Sequence, residues 1–171
     1  MTICKKVSSK LRVLGIDPGT ATVGWGIVEE RNGQLRAVAF GHIATSPKKT
    51  DEERLVEISK DLKIILAKYL PREVGIEKLF FFKNQKTVME VSQARGAIIL
   101  TMSQKDVKVF SYTPLEVKQA VTGYGRAEKK QIQLMTKEIL GLDKIPRPDD
   151  TADALAIAIC HLNSRKVKGL K

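Results

Sequence analysis

The chain has 171 residues, with 30 Lys and Arg against 19 Asp and Glu and a formal net charge of +11. That length suits one domain with a substantial core and excludes two ordinary ones. The charge favours nucleic acid as a partner, because cationic side chains release counterions condensed on a phosphate backbone, although charge of this size also serves solubility alone.

Residues 1–10 (MTICKKVSSK) hold no apolar stretch long enough for a signal peptide or a membrane span, and are expected to form a flexible extension. Residues 11–16 (LRVLGI) make a short apolar run; after a Pro-Gly break residues 23–28 resume it, and residues 35–44 alternate. Three antiparallel strands therefore open the fold. Thr50 and Glu53 form a capping box for a helix carrying Leu55, Ile58, Leu62, Ile65 and Tyr69 on one face, stopped by Pro71. Residues 73–77 form a short strand, parallel to the first because a helix intervenes. The spacing of Val91, Ala94, Ile98 and Met102 predicts a second helix over 87–102, and residues 107–112 a fifth strand. Thr113, Pro114 and Glu116 start a short helix that ends before Gly123. Another helix spans 127–140, closed by Gly141, and a last one 151–162.

The order predicts an α/β fold, a five-stranded mixed sheet with helices on both faces. The domain is expected over 11–165, with 166–171 a basic tail. Cys4 and Cys160 lie far apart and outside any CxxC spacing, which excludes a disulfide framework and suits a reducing cytoplasm.

Asp17 follows the first strand and precedes Pro18-Gly19, so its carboxylate stands at a strand's carboxyl end, where open α/β sheets bind ligands. The same DPG sequence is also ordinary turn chemistry. Glu77 is a charge inside an apolar stretch, with Val74 and Ile76 before it and Leu79 and Phe80 to Phe82 after it. Such a residue is rarely buried without a partner, the alternative being a strand-end glutamate facing solvent. Beside the first strand it would lie level with Asp17. Asp150 and Asp153, three apart at the start of an apolar helix, share a face near its positive end. Asp149 and Asp153, four apart, would share a face equally well, so spacing does not choose between Asp149 and Asp150. Carboxylates gathered within a few ångströms must protonate or bind cations, and Mg²⁺ takes such oxygens at roughly 2.0–2.1 Å.

GIDPGT, IEKLFF, QARG at 93–96, VKQAVTGYGRAEKKQ at 117–131 and DTADALAIAICH, in that order over about residues 11–161, together resemble the RuvC family of bacterial Holliday junction resolvases. The resemblance implies a ribonuclease H-like fold, a homodimer, and Asp17, Glu77, Asp150 and Asp153 as catalytic residues and metal ligands. The family pattern has an acidic residue three before the second helix aspartate, which selects Asp150 over Asp149. It implies Mg²⁺, two ions roughly 3.5–4 Å apart that activate water and stabilise the leaving 3′ oxygen, with Mn²⁺ a candidate substitute. The products implied are 5′-phosphate and 3′-hydroxyl ends.

The implied substrate is four-way junction DNA, resolved by paired symmetric nicks, for which a two-fold dimer presents two equivalent sites. A branch-migration helicase is the further partner implied. Phe80 matches the family's aromatic position beyond the glutamate and is similar to a wedge that stacks on an opened base, worth about 1–3 kcal/mol; a plainer role would place all three phenylalanines in the core. Lys118 and Lys129 fall on the family's basic positions flanking a glycine loop at 123–125, and Lys130 adds a cation, all three as DNA contacts. Arg95 suits a helix surface or a dimer contact equally.

GIDPGT is also similar to the phosphate-binding hairpin of actin-like ATPases, but those folds need two related lobes, for which 171 residues leave no room. A nuclease of the same fold acting on another branched nucleic acid would carry the same residues. An inert DNA-binding module would share the fold too, but all four carboxylates argue against it.

Overall fold

The β-strands form where the apolar runs and turn chemistry direct them. The computed structural model describes residues 11–79 and 85–168, the side chains of 85–87 and 166–168 excepted. Strands β1 (Arg12–Asp17), β2 (Thr22–Arg31) and β3 (Gln34–Ala44) make an antiparallel meander. Asn32 and Gly33 both take positive φ, 53° and 78°, which suits the two-residue turn joining β2 to β3. Helix α1 (Asp51–Tyr69) then crosses to β4 (Glu73–Glu77), and α2 (Gln85–Ser103) crosses to β5 (Lys108–Tyr112). Each helical crossover returns the chain parallel, giving the strand order β3-β2-β1-β4-β5. Helices α3 (Pro114–Thr122), α4 (Lys129–Leu140) and α5 (Asp149–Lys168) complete the chain.

Both expected capping boxes form. The Thr50 backbone N–H donates to Glu53 Oε2 at 2.9 Å, and the Thr113 N–H to Glu116 Oε2 at 2.7 Å. Leu70 closes α1 in the left-handed conformation, one residue before Pro71.

Alternation along the strands sends side chains to two cores. Leu14, Ile16, Val74 and Ile76 meet Ile58 and Leu62 of α1 and Ala94, Ile98 and Met102 of α2. Val13 and Val28 point the other way and meet α5, with α3 and α4 packed beside it. Each fully buried aliphatic chain contributes about 1.5–3 kcal/mol. The stripe of Ala94, Ile98 and Met102 is thus spent on the core, leaving Met89 and Leu100 as the large exposed apolar residues of α2.

Helix α5 lies directly on strand backbone. A Cβ on Gly15 would stand 1.9 Å from the Ala154 carbonyl oxygen, and one on Gly24 would stand 1.9 Å from that of Asp150. Glycine in the strands and alanine in the helix together remove the side chains that would separate them.

Several boundaries differ from the sequence expectation. Asp17 is the last residue of β1, still paired with Gly24. Helix α4 starts at Lys129, after Glu128, whose side chain makes no cap bond. Helix α5 starts at Asp149 and runs to Lys168, so residues 166–168, expected as tail, continue the helix. The 1–10 extension and Phe80 lie outside the described residues. Among the described residues no helix is long and apolar enough to cross a membrane.

Candidate active site and metal centre

Two neighbouring parallel strands deliver the first pair of acids. The β1–β4 register ends with Ile16 opposite Ile76, and Asp17 and Glu77 are the next residues on each strand. Helix α5 brings the second pair. Its backbone at Asp150 rests on Gly24, and Thr151 Oγ1 donates to the Gly41 carbonyl at 3.2 Å, fixing the first turn over β2 and β3.

One carboxylate oxygen from each of Asp17, Asp150 and Asp153 lies within 4.8 Å of the other two. Glu77 stands beside this trio. With Asp17, Asp153, Lys118 and Lys129 it lines a cavity of about 240 Å³. A larger groove, about 730 Å³, runs between the β2–β3 turn and the end of α4, and gathers no carboxylate cluster.

Burial and mutual repulsion dominate the electrostatics. Burial, then the charges of Glu77, Asp153 and Asp150, push the Asp17 carboxyl up to about 8. Burial and then Asp153 push Glu77 up. Asp153 is likewise raised, first by burial, although the Lys129 ammonium opposes the rise. Lys129 Nζ lies 3.0 Å from Asp153 Oδ2 and 3.5 Å from Asp149 Oδ2. Asp149 also accepts from Arg147. The two adjacent aspartates therefore diverge: Asp149 pairs with basic side chains at the rim, and Asp150 joins the acidic trio.

The donor set fits a hard divalent cation. Three carboxylates with mutually close oxygens offer only hard ligands and a fourth stands beside them; the raised proton affinities of Asp17, Glu77 and Asp153 fit a charge that one lysine leaves under-compensated.

The structure thus brings Asp17, Glu77, Asp150, Asp153, Lys118 and Lys129 to one place, whereas Lys130 is exposed on the first turn of α4. Two features escaped sequence reasoning. Arg95 of α2 donates through Nε to the Glu77 carbonyl at 3.0 Å and through Nη2 to Ser111 Oγ at 2.8 Å. At the far end of β4, buried Glu73 meets His161 and Arg165. The available signal was His161 and Arg165, one helical turn apart at the end of the helix's apolar run.

A mixed sheet in this strand order, with carboxylates at adjacent parallel strand ends completed by a helix across one face, defines a nuclease of the ribonuclease H-like class. Comparison with known proteins narrows the class. The family model "Crossover junction endodeoxyribonuclease RuvC" matches residues 13–161, and the chain belongs to that family. It is 50% identical over 157 residues to the crossover junction endodeoxyribonuclease RuvC of Syntrophomonas wolfei, covering 92% of this chain and 91% of the relative. The solved RuvC of Thermus thermophilus superposes with a TM-score of 0.85 at 35% identity, covering 92% of this chain and 97% of that one. The same protein in complex with a Holliday junction substrate superposes with a TM-score of 0.84 at 32% identity, covering 92% and 96%.

Proposed function

We propose that this chain resolves four-way DNA junctions by paired symmetric nicks, with Asp17, Glu77, Asp150 and Asp153 as its catalytic, Mg²⁺-holding residues. The observation that carries the reading is the meeting of Asp17, from β1, with Asp150 and Asp153, from α5, within 4.8 Å.

Asp17, Asp150 and Asp153 would hold the cation, with Glu77 completing the cavity. What divalent ions supply in such a site is charge neutralisation at the phosphate and a water acidic enough to attack it. The protein's own part is orientation. Strand ends and a helix pressed on backbone hold the carboxylates on rigid elements, and rigidity of this kind keeps a hydrolytic site productive. Lys118 and Lys129 line the same cavity as the acids, so a phosphate entering it meets cations beside the metal-holding groups. Lys130 extends the basic edge outward, and the net charge of +11 draws the polyanion from a distance.

Paired nicks require two equivalent sites, so the working form is a homodimer. Val56 and Ile64 on α1 and Leu100 on α2 are large exposed apolar residues that a second copy would cover. Phe80, directly beyond the Glu77 segment, acts as the wedge that stacks on an opened base. The products carry 5′-phosphate and 3′-hydroxyl ends, the site accepts two ions with Mn²⁺ as a substitute, and the enzyme works in the cytoplasm with a branch-migration helicase.

The test incubates purified protein with a synthetic four-way junction and with linear duplex, each with and without Mg²⁺. Symmetric nicking of the junction alone, only with Mg²⁺, is the expected result. Equal cutting of linear duplex would point to a general nuclease.

A further inference from the structure

Glu77 is the least anchored of the four acids. Pairing between β1 and β4 stops at Ile76, so beyond that point only β5 holds the strand, with Glu77 opposite Tyr112. The next residue makes one more bond, from the Lys78 N–H to the Tyr112 carbonyl at 2.7 Å, before the chain leaves the sheet. The Glu77 carboxylate meanwhile faces Asp17 and Asp153, whose charges repel it. Repulsion on a strand end held from one side favours rotation of the side chain out of the cavity.

Arg95 supplies the missing hold. Its Nε–H donates to the Glu77 carbonyl and its Nη2–H to Ser111 Oγ, so one planar guanidinium bridges the ends of β4 and β5. Bonds from a charged donor are roughly twice as strong as neutral ones, and the fixed fork of a guanidinium transmits direction as well as energy. Helix α2 does not need this bond to dock, because Ala94, Ile98 and Met102 already bury it against the sheet.

We propose that Arg95 is a positioning residue: by clamping the Glu77 backbone to Ser111 it keeps the Glu77 carboxylate aimed at Asp17 and Asp153. The inference rests on Glu77 being a metal-holding residue. Arg95 acts through that carboxylate, its two bonds going to the Glu77 carbonyl and to Ser111 Oγ.

The experiment compares Arg95→Ala, Arg95→Lys, Ser111→Ala and, as a separate control, Glu77→Gln. Groups that orient a metal ligand cost about 10–100-fold when removed. For Arg95→Ala we expect Mn²⁺ affinity by calorimetry to fall about 10-fold, single-turnover cleavage at saturating junction to slow similarly, and excess Mg²⁺ to restore much of the rate. Junction affinity without metal and the melting temperature of the metal-free protein should stay close to wild type. Arg95→Lys, which keeps the charge but cannot bridge both acceptors, should resemble Arg95→Ala, and Ser111→Ala should shift Mn²⁺ affinity in the same direction by less. Should Arg95→Ala prove poorly folded, the lysine and serine variants carry the test.

Unchanged Mn²⁺ affinity in the folded Arg95 variants overturns the proposal, as does a loss confined to junction affinity. Cleavage by Glu77→Gln at the wild-type rate overturns the reading of the site itself. An inactive Glu77→Gln beside wild-type Arg95 variants overturns the positioning role alone.

Discussion

Glu73 and Glu77 occupy the same face of β4, four residues apart, and are neutralised in opposite ways. Both point toward α5, with Gly75 between them where Ile157 and His161 pack closest. Glu73 is neutralised permanently: Arg165 Nε donates to its Oε2 at 2.6 Å, and His161 Nε2 lies 2.7 Å from the same atom. His161 Nδ1 is in turn 2.6 Å from the Tyr112 hydroxyl. Glu77, at the other end, faces further carboxylates and shares Lys129 with them. One strand and one helix thus meet through a fixed ionic lock at one end and an acidic cluster fit for a cation at the other.

The lock sets acid stability. Burial works to raise the Glu73 carboxyl, but hydrogen bonds and charge from Arg165 and His161 outweigh it and hold it below its usual 4.5. A depressed carboxylate stabilises the fold above its unfolded value and loses that contribution as pH falls through the folded one. The lock's contribution should therefore be steady above about pH 4.5 and decline below it. Arg165→Ala should cost about 3 kcal/mol near neutral pH, the scale for breaking a buried pair, and flatten the acid decline; urea denaturation across pH 3–7 checks both.

The acidic cup sets the opposite slope. Asp17, raised from 3.8 to about 8, binds its proton more tightly in the fold than in the unfolded chain. The metal-free protein should therefore lose stability as pH rises from about 4 through about 8, and Mg²⁺ should stabilise it more at pH 8 than at pH 6. Asp17→Asn removes the repulsion. Its metal-free melting temperature at pH 8 should exceed that of wild type, Mg²⁺ should no longer shift it, and cleavage should fall more than about 100-fold with junction binding kept.

Gly24→Ala tests how α5 carries the site. The added methyl meets the carbonyl oxygen of Asp150, so the helix start must move. Overpacking of this kind costs about 1–3 kcal/mol. Cleavage should drop further than the stability loss accounts for, because the displaced backbone belongs to an acid of the trio. Urea denaturation beside single-turnover kinetics separates the two effects.

Phe80→Ala should slow cleavage of an intact junction while leaving cleavage of a junction with a pre-opened crossover near wild type. Equal slowing on both substrates would remove the wedge.

The local rules of the fold were legible: the capping boxes at Thr50 and Thr113, the antiparallel opening strands and the parallel return of β4 all rest on neighbours in the sequence. The convergence of the acids was legible only in part: charges beside apolar runs drew attention to Asp17, Glu77 and Asp153, and the family resemblance joined them with Asp150. What stayed hidden crosses the chain. Arg95 reaches Glu77 over 18 residues and Arg165 reaches Glu73 over 92, with no short-range pattern announcing either. The divergence of Asp149 from Asp150 was equally invisible in their spacing, since it depends on Lys129 and Arg147 arriving at the rim. The glycines at 15 and 24 read as strand residues until α5 is laid across them.

Anomalous diffraction from crystals soaked in Mn²⁺ tests most directly whether these carboxylates form a cation site. A peak coordinated by oxygens of Asp17, Asp150 and Asp153 is the predicted result. An empty trio at saturating Mn²⁺, with Lys129 still paired to Asp153, would contradict it.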